Sequence, residues 1–218
     1  MGTFPDKQFY RTEFSPWLGY GEFAEYQKLS QRTLLGCEKL YYLYSLFLNT
    51  VPVLGDVAEC GVYQGGSANM LTNLVANKCP GKRIHLFDTF KGMPVADQNK
   101  DTHKVGDFGD TSLEVVKGLI CHDDIVSYHV GMMPDSFKGM EGSVFSFIHL
   151  DVDQYQSYID CLTFLWPRLS LGGIMVFDDY GHPNCPGARK AIDEFFTGKR
   201  DRLIVLLKGQ ACIIKVLD

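Results

Sequence analysis

The chain has 218 residues, 45% of them hydrophobic and 22% charged, and a net charge of −5. That length and balance fit one globular unit and exclude disorder, collagen and coiled coil as whole-chain readings. An acidic chain without a Lys/Arg run also lacks the footprint of a nucleic-acid binder or of a membrane-surface protein.

The 7 cysteines are scattered and form no C-x-x-C pair, which argues against a disulfide framework and a structural zinc site. They read as small buried hydrophobes in a reducing compartment. The longest apolar stretch, Tyr41 to Leu54, is broken by Asn49 and Pro52 and is too short to span a bilayer. The opening MGTFPDKQF has no apolar signal core. A cytoplasmic location is expected.

Residues 1–20 are aromatic and aperiodic and are expected to form an irregular arm. Residues 22–50 predict a helix in two pieces with a break near Gly36. Leu40, Leu43, Tyr44 and Phe47 supply an apolar stripe at i, i+3, i+4, i+7. Residues 1–50 are thus expected as an arm and helical cap or lid, and 51–218 as the main domain. A first strand is expected over 56–60, a helix over 65–77 and a second strand over 83–88. The polar stretch 91–110 has little periodicity. At about twenty residues it exceeds the usual connection and reads as a functional loop. A helix follows over 111–121, capped by Thr111 or Ser112. Strands over 125–130 and 144–151 come next, the latter apolar on both faces as parallel strands tend to be. Then come a helix over 153–169, a strand over 173–177 and a helix over 186–198. The segments 203–207 and 211–217, joined across Lys208-Gly209-Gln210, read as a closing hairpin.

Strand–helix alternation means an α/β fold with a mainly parallel sheet. The final pair must be antiparallel, because a parallel pair needs a crossover. The expected fold is therefore a doubly wound, mainly parallel seven-stranded sheet with a C-terminal antiparallel hairpin. Rossmann-like class I methyltransferases have this arrangement, although fold alone does not give function.

The first predicted strand runs into Glu59-Cys60-Gly61-Val62-Tyr63-Gln64-Gly65-Gly66-Ser67. A strand, glycines and a helix make a ligand pocket at the strand's C-terminal end. The spacing is G-x-x-x-G-G rather than the dinucleotide G-x-G-x-x-G, and no Lys-Ser/Thr follows as in a P-loop. Glu59, expected to face the pocket, would repel a pyrophosphate but could pair with a cation or a hydroxyl. S-adenosylmethionine, a sulfonium without phosphate, fits that pattern; a purely structural turn is the other reading. Asp88, ending the second strand, is placed to take ribose hydroxyls.

The fourth strand ends in His149-Leu150-Asp151-Val152-Asp153 and the fifth in Asp178-Asp179-Tyr180. If these strands are neighbours, roughly 5 Å apart, three or four carboxylates converge. Unpaired, they would repel one another and raise their own pKa values. No Lys or Arg is close in sequence before Arg168, so a divalent cation is the simplest neutraliser. All-oxygen ligands suit Mg²⁺, Ca²⁺ or Mn²⁺. Asp153 is also a candidate cap for the helix after it. His149 reads as a core histidine, His103 as a solvated loop residue, and His182 as a candidate substrate contact. Cys185 has no evident partner base, and no G-x-S-x-G elbow is present.

These motifs resemble the macrocin O-methyltransferase family, which methylates sugar hydroxyls of natural products. The resemblance rests on Val57–Ser67, on Phe87–Pro94 (FDTFKGMP), on Leu150–Ser157 (LDVDQYQS), and on Leu165–Gly173 with Asp178-Asp179-Tyr180. It implies Mg²⁺-dependent methyl transfer from S-adenosylmethionine to a hydroxyl of a small-molecule acceptor, a sugar or glycosylated compound, and a homo-oligomer. In that resemblance Asp151, Asp178 and Asp179 hold the metal and Asp153 is the general base. Glu59, Gly61, Ser67 and Asp88 belong to the cofactor site. Catechol-type methyltransferases carry a lysine three residues after the first metal aspartate; Gln154 stands there in this chain.

Overall fold

The computed structural model describes residues 21–93, 97 and 99–216. The arm expected over 1–20 lies outside them. Two helices come first, α1 (Gly21–Leu29) and α2 (Cys37–Asn49). They are followed by β1 (Asp56–Cys60), α3 (Gly66–Lys78), β2 (Ile84–Asp88), α4 (Leu113–Leu119) and β3 (Val126–Val130). The chain continues through β4 (Phe145–Leu150), α5 (Tyr155–Leu165), β5 (Leu169–Phe177), α6 (Pro186–Phe196), β6 (Ile204–Val205) and β7 (Ala211–Ile214).

The strands form one seven-stranded sheet in the order β3-β2-β1-β4-β5-β7-β6. The β1, β2, β3, β4 and β5 pairings are parallel, and β7 runs antiparallel to both β5 and β6. The expected doubly wound sheet with its terminal antiparallel pair is what forms. Both faces of the sheet are covered, which is why β4 is buried at every position. Phe147, Ile174 and Val176 face one core, shared with Leu43, Tyr44 and Phe47 of α2 and with Met70 and Leu74 of α3. Phe145, Ile148 and Phe177 face the other, with Tyr158, Leu162 and Ile192 of α5 and α6. Phe23 and Tyr26 of α1 join the first core, so the helical stretch before residue 50 packs with the sheet itself.

Several boundaries differ from expectation for local reasons. Helix α4 starts later than 111 because the Ser112 hydroxyl accepts the Val115 amide at 3.2 Å and caps it, and it ends at Leu119 rather than 121. Strand β5 begins at Leu169 rather than 173, with a register shift against β4 and Gly172 at φ +78°. Helix α5 starts at Tyr155 with Gln154 as its N-cap, so Asp153 is not the cap. Asp153 instead sits at φ +54°, an uncommon left-handed position for a non-glycine residue.

Strand order reverses direction between β1 and β4. Crevices at such switch points, beyond the strands' C-terminal ends, are where open α/β sheets bind ligands. The Glu59↔His149 and Cys60↔Leu150 register brings the glycine turn against the first aspartate motif. The β4–β5 register, Leu150↔Phe177, puts Asp151 beside Asp178. Among the described residues no helix is long and apolar enough to cross a membrane.

Candidate active site

A cavity of about 410 Å³ opens at this switch point, lined by Gly61, Ser67, Asp88, Asp151, Asp153, Asp178 and Asp179 among others. Seven of the eight expected site residues therefore share one space. Gly61 is required there, since at φ +83° a Cβ would stand 1.8 Å from the Asp151 carbonyl oxygen. Asp88 shapes the turn itself. One carboxylate oxygen accepts the Val62 and Tyr63 amides at 2.6 and 3.1 Å, and the other accepts the Phe90 amide at 2.6 Å.

Glu59 is the exception, and the expectation that it faces the pocket is corrected. Its side chain is wholly buried behind the cavity wall, and Oε1 meets His149 Nδ1 at 2.8 Å. Alternation along a strand sends Glu59 to the side of the β1–β4 ladder where His149 stands directly opposite. Its second oxygen, Oε2, has no hydrogen-bond partner. His149 Nε2 lies 3.8 Å from Asp178 Oδ1. His149 is thus a core histidine, as expected, hydrogen-bonded to Glu59 and standing between two carboxylates, with no hydrogen-bond partner on Nε2.

Burial alone would lower the pKa of His149, but Asp178 and Glu59 outweigh it and push it up to about 9. A raised histidine stabilises the fold fully below its ordinary pKa of about 6.5 and loses that contribution as pH rises through about 9. Stability is therefore expected to fall between those limits, by on the order of 3 kcal/mol for a shift of this size. Urea unfolding at the two ends of the window measures it. His149→Gln should flatten the dependence; an unchanged slope in that variant would refute the assignment.

The aspartates are not equivalent. Asp178 is already engaged: Lys39 of α2 reaches its Oδ2 in a short ion pair, and Gln210 Nε2 donates to Oδ1 at 2.7 Å. Burial would raise the pKa of Asp178, yet His149 and Lys39 hold it below the usual carboxylate range. Lys39 comes from 139 residues away, and the sequence carries no local signal for it. Asp151 and Asp179 differ. Burial, followed by the neighbouring carboxylates, pushes both far above the usual range. Asp179 Oδ2 accepts the Asp153 amide and the Tyr158 hydroxyl, each at 3.0 Å.

Oxygens of Asp151, Asp153 and Asp179 lie within 4.8 Å of one another, as do donor atoms of His149, Asp151 and Asp178. This all-oxygen set, buried and short of positive charge on the Asp151–Asp179 side, fits a hard divalent cation. Asp178, whose Oδ2 is held by Lys39, is not part of that trio, so the structure brings Asp151 and Asp179 together with Asp153 rather than with Asp178.

Asp153 Oδ1 accepts the Cys185 thiol at 3.1 Å and lies 3.8 Å from His103 Nε2. Burial raises the pKa of Asp153, with Cys185 and His103 pulling the other way. His103 was expected to be solvated; its side chain is only 20% exposed and it lines the cavity. The reason lies in the anchoring of its loop. Asp101 Oδ1 accepts the Tyr155 amide at 2.8 Å, and the Thr102 hydroxyl donates to the Asn184 carbonyl. His182 lines the same wall.

The chain is 31% identical to an 8-demethyl-8-(2,3-dimethoxy-alpha-L-rhamnosyl)-tetracenomycin-C 4'-O-methyltransferase of Streptomyces olivaceus, over 72% of this chain and 65% of the relative. It is 28% identical to a demethyldecarbamoylnovobiocin O-methyltransferase of Streptomyces niveus, over 67% and 59%. The chain thus spans less than two thirds of the length of these relatives. Among solved structures it resembles the O-methyltransferase NovP, with a TM-score of 0.76 and 24% identity over 85% of this chain and 82% of that one. It also resembles a calicheamicin methyltransferase, with a TM-score of 0.70 and 20% identity over 98% of each; both likenesses concern the fold. The profile of the macrocin O-methyltransferase (TylF) family matches residues 30–202, most of the chain, and the chain belongs to that family.

Proposed function

We propose that this protein transfers the methyl group of S-adenosylmethionine to a hydroxyl of a sugar or glycosylated small molecule, with Mg²⁺ bound. The observation that carries the reading is the joining of the Gly61 turn to four aspartates around one cavity. The sugar acceptor draws support from relatives whose names specify rhamnosyl tetracenomycin and mycinamicin substrates.

Gly61, Ser67 and Asp88 form the cofactor side of the cavity, and Asp151, Asp178 and Asp179 are assigned to Mg²⁺. When bound, the cation lowers the cost of forming an alkoxide from a weakly acidic hydroxyl. Asp153 accepts the hydroxyl proton. Its burial keeps the carboxylate more basic than an exposed one, which suits a general base working near neutral pH. The loop carrying Met93, His103 and Phe108 walls the cavity and excludes water from the methyl donor. The chain's own contribution is thus mostly alignment of donor and acceptor.

Calorimetry with S-adenosylhomocysteine, followed by a methylation assay on glycosylated acceptors, tests the reading; failure to bind the cofactor product would overturn it. Removal of Mg²⁺ by EDTA should lower turnover by at least about 10²-fold, restored by added Mg²⁺. Turnover indifferent to chelation would remove the metal from the mechanism.

A further inference from the structure

The proposed base, Asp153, has three further donor side chains beside it on one wall of the cavity, and the chemistry above uses none of the three as a donor. Cys185 Sγ lies 3.1 Å from Asp153 Oδ1, 3.8 Å from His103 Nε2 and 3.5 Å from His182 Nδ1. His103 Nε2 is in turn 3.8 Å from Asp153 Oδ1. A tetrahedral zinc ion, with bonds of about 2.0–2.3 Å, sets donor–donor separations of roughly 3.3–3.7 Å. The three separations among His103, Asp153 and Cys185, from 3.1 to 3.8 Å, bracket that range, while His182 Nδ1 also accepts the Asn184 amide at 3.3 Å. Donor atoms of His103, Asp153 and Cys185 all fall within 4.8 Å of one another.

We propose that His103, Asp153 and Cys185, with His182 beside them, form a second metal site. It selects zinc or another thiophilic ion, and it shares Asp153 with the neighbouring all-oxygen group. A thiol with imidazole donors selects soft or borderline ions, whereas the all-oxygen aspartate set suits Mg²⁺. The donors are also held. His103 Nδ1 faces Asp107 Oδ2 at 3.3 Å, the outer-shell carboxylate contact that orients metal-binding imidazoles. Cys185 is 2% exposed and sits at the N-cap of α6, while Asp153 is fixed by its left-handed backbone. The site draws on three separate parts of the chain: the loop before α4, the end of β4 and the turn after β5. On binding, the Cys185 thiol proton leaves to solvent as the sulfur–metal bond forms. The ion takes the Asp153 oxygen needed to accept the acceptor's proton. Zinc is then an inhibitor that also pins the 99–110 loop over the cavity. The inhibition rests on Asp153 being the base; the binding does not.

Cobalt(II) is the probe for the binding. Titrated into chelator-treated protein with saturating Mg²⁺, it should give tetrahedral visible bands and a near-ultraviolet thiolate charge-transfer band at one equivalent. Cys185→Ser should lose the charge-transfer band, and His103→Ala should weaken cobalt binding at least about tenfold. Asp178→Asn, altered on the Mg²⁺ side at a residue with no hydrogen bond to Asp153, should keep the band. A wild-type protein without the band, or a band that survives Cys185→Ser, overturns the site. With methyl transfer established, zinc should inhibit, and His103→Ala should shift the half-inhibitory zinc concentration upward at least about tenfold. Cobalt binding without zinc inhibition would overturn the blocked base and leave the site.

Discussion

Asp153→Asn is expected to lower kcat by about 10²–10⁴-fold, the usual contribution of a positioned base, while leaving S-adenosylhomocysteine binding unchanged. The asparagine keeps the shape of the side chain but takes no proton. It also removes one carboxylate from a crowded set, because Asp153 is the first neighbour, after burial itself, that drives up the pKa of Asp179. The variant should therefore melt no lower than the wild type, so that lost turnover reports chemistry rather than unfolding. A kcat within a few-fold of wild type would return Asp153 to a purely structural place beside Cys185.

Gly61→Ala should have the largest effect on the fold. The new methyl group would stand 1.8 Å from the Asp151 carbonyl oxygen, at a φ of +83° that an alanine rarely adopts. Relief requires β1 and β4 to separate at the cavity floor, where the Asp151 amide bonds the Cys60 carbonyl at 2.9 Å. A loss of at least about 4 kcal/mol is expected, near the limit for a single substitution. For a chain of this size each kcal/mol is worth about 2–4 °C in Tm. Gly81→Ala is the control: its φ is +98°, but nothing lies within 4 Å of the added methyl. It should show the cost of the backbone conformation alone, about 1–2 kcal/mol. Equal melting points for the two variants would deny the close approach at Gly61.

The sheet was legible in the sequence because its signals are local. Apolar runs such as Phe145–Leu150, punctuated by glycines, mark parallel strands without any knowledge of what pairs with them. The aspartates were legible for the same reason, since each pair ends a strand. What the sequence hid was pairing across distance. Lys39 meets Asp178, and His149 joins Glu59, only once the strand order is known. Neither Glu59 nor its neighbours Ala58 and Cys60 line the pocket, which begins at Gly61, just beyond the end of β1. His103 looked solvated because its stretch has no periodicity; Asp101 and Thr102 hold it in place through single hydrogen bonds to remote backbone atoms.

The central pairing also sets an order of assembly. His149 and Glu59 are neighbours in space but 90 residues apart in the chain. During synthesis β1 and β2 can pair before β4 has emerged, leaving one edge of β1 open until residues 145–150 are made. Long-range parallel pairing is slow, and open strand edges invite association with other chains. The β1 edge that β4 covers stays open until residues 145–150 are delivered, so an added chaperone that shields it should raise the soluble yield.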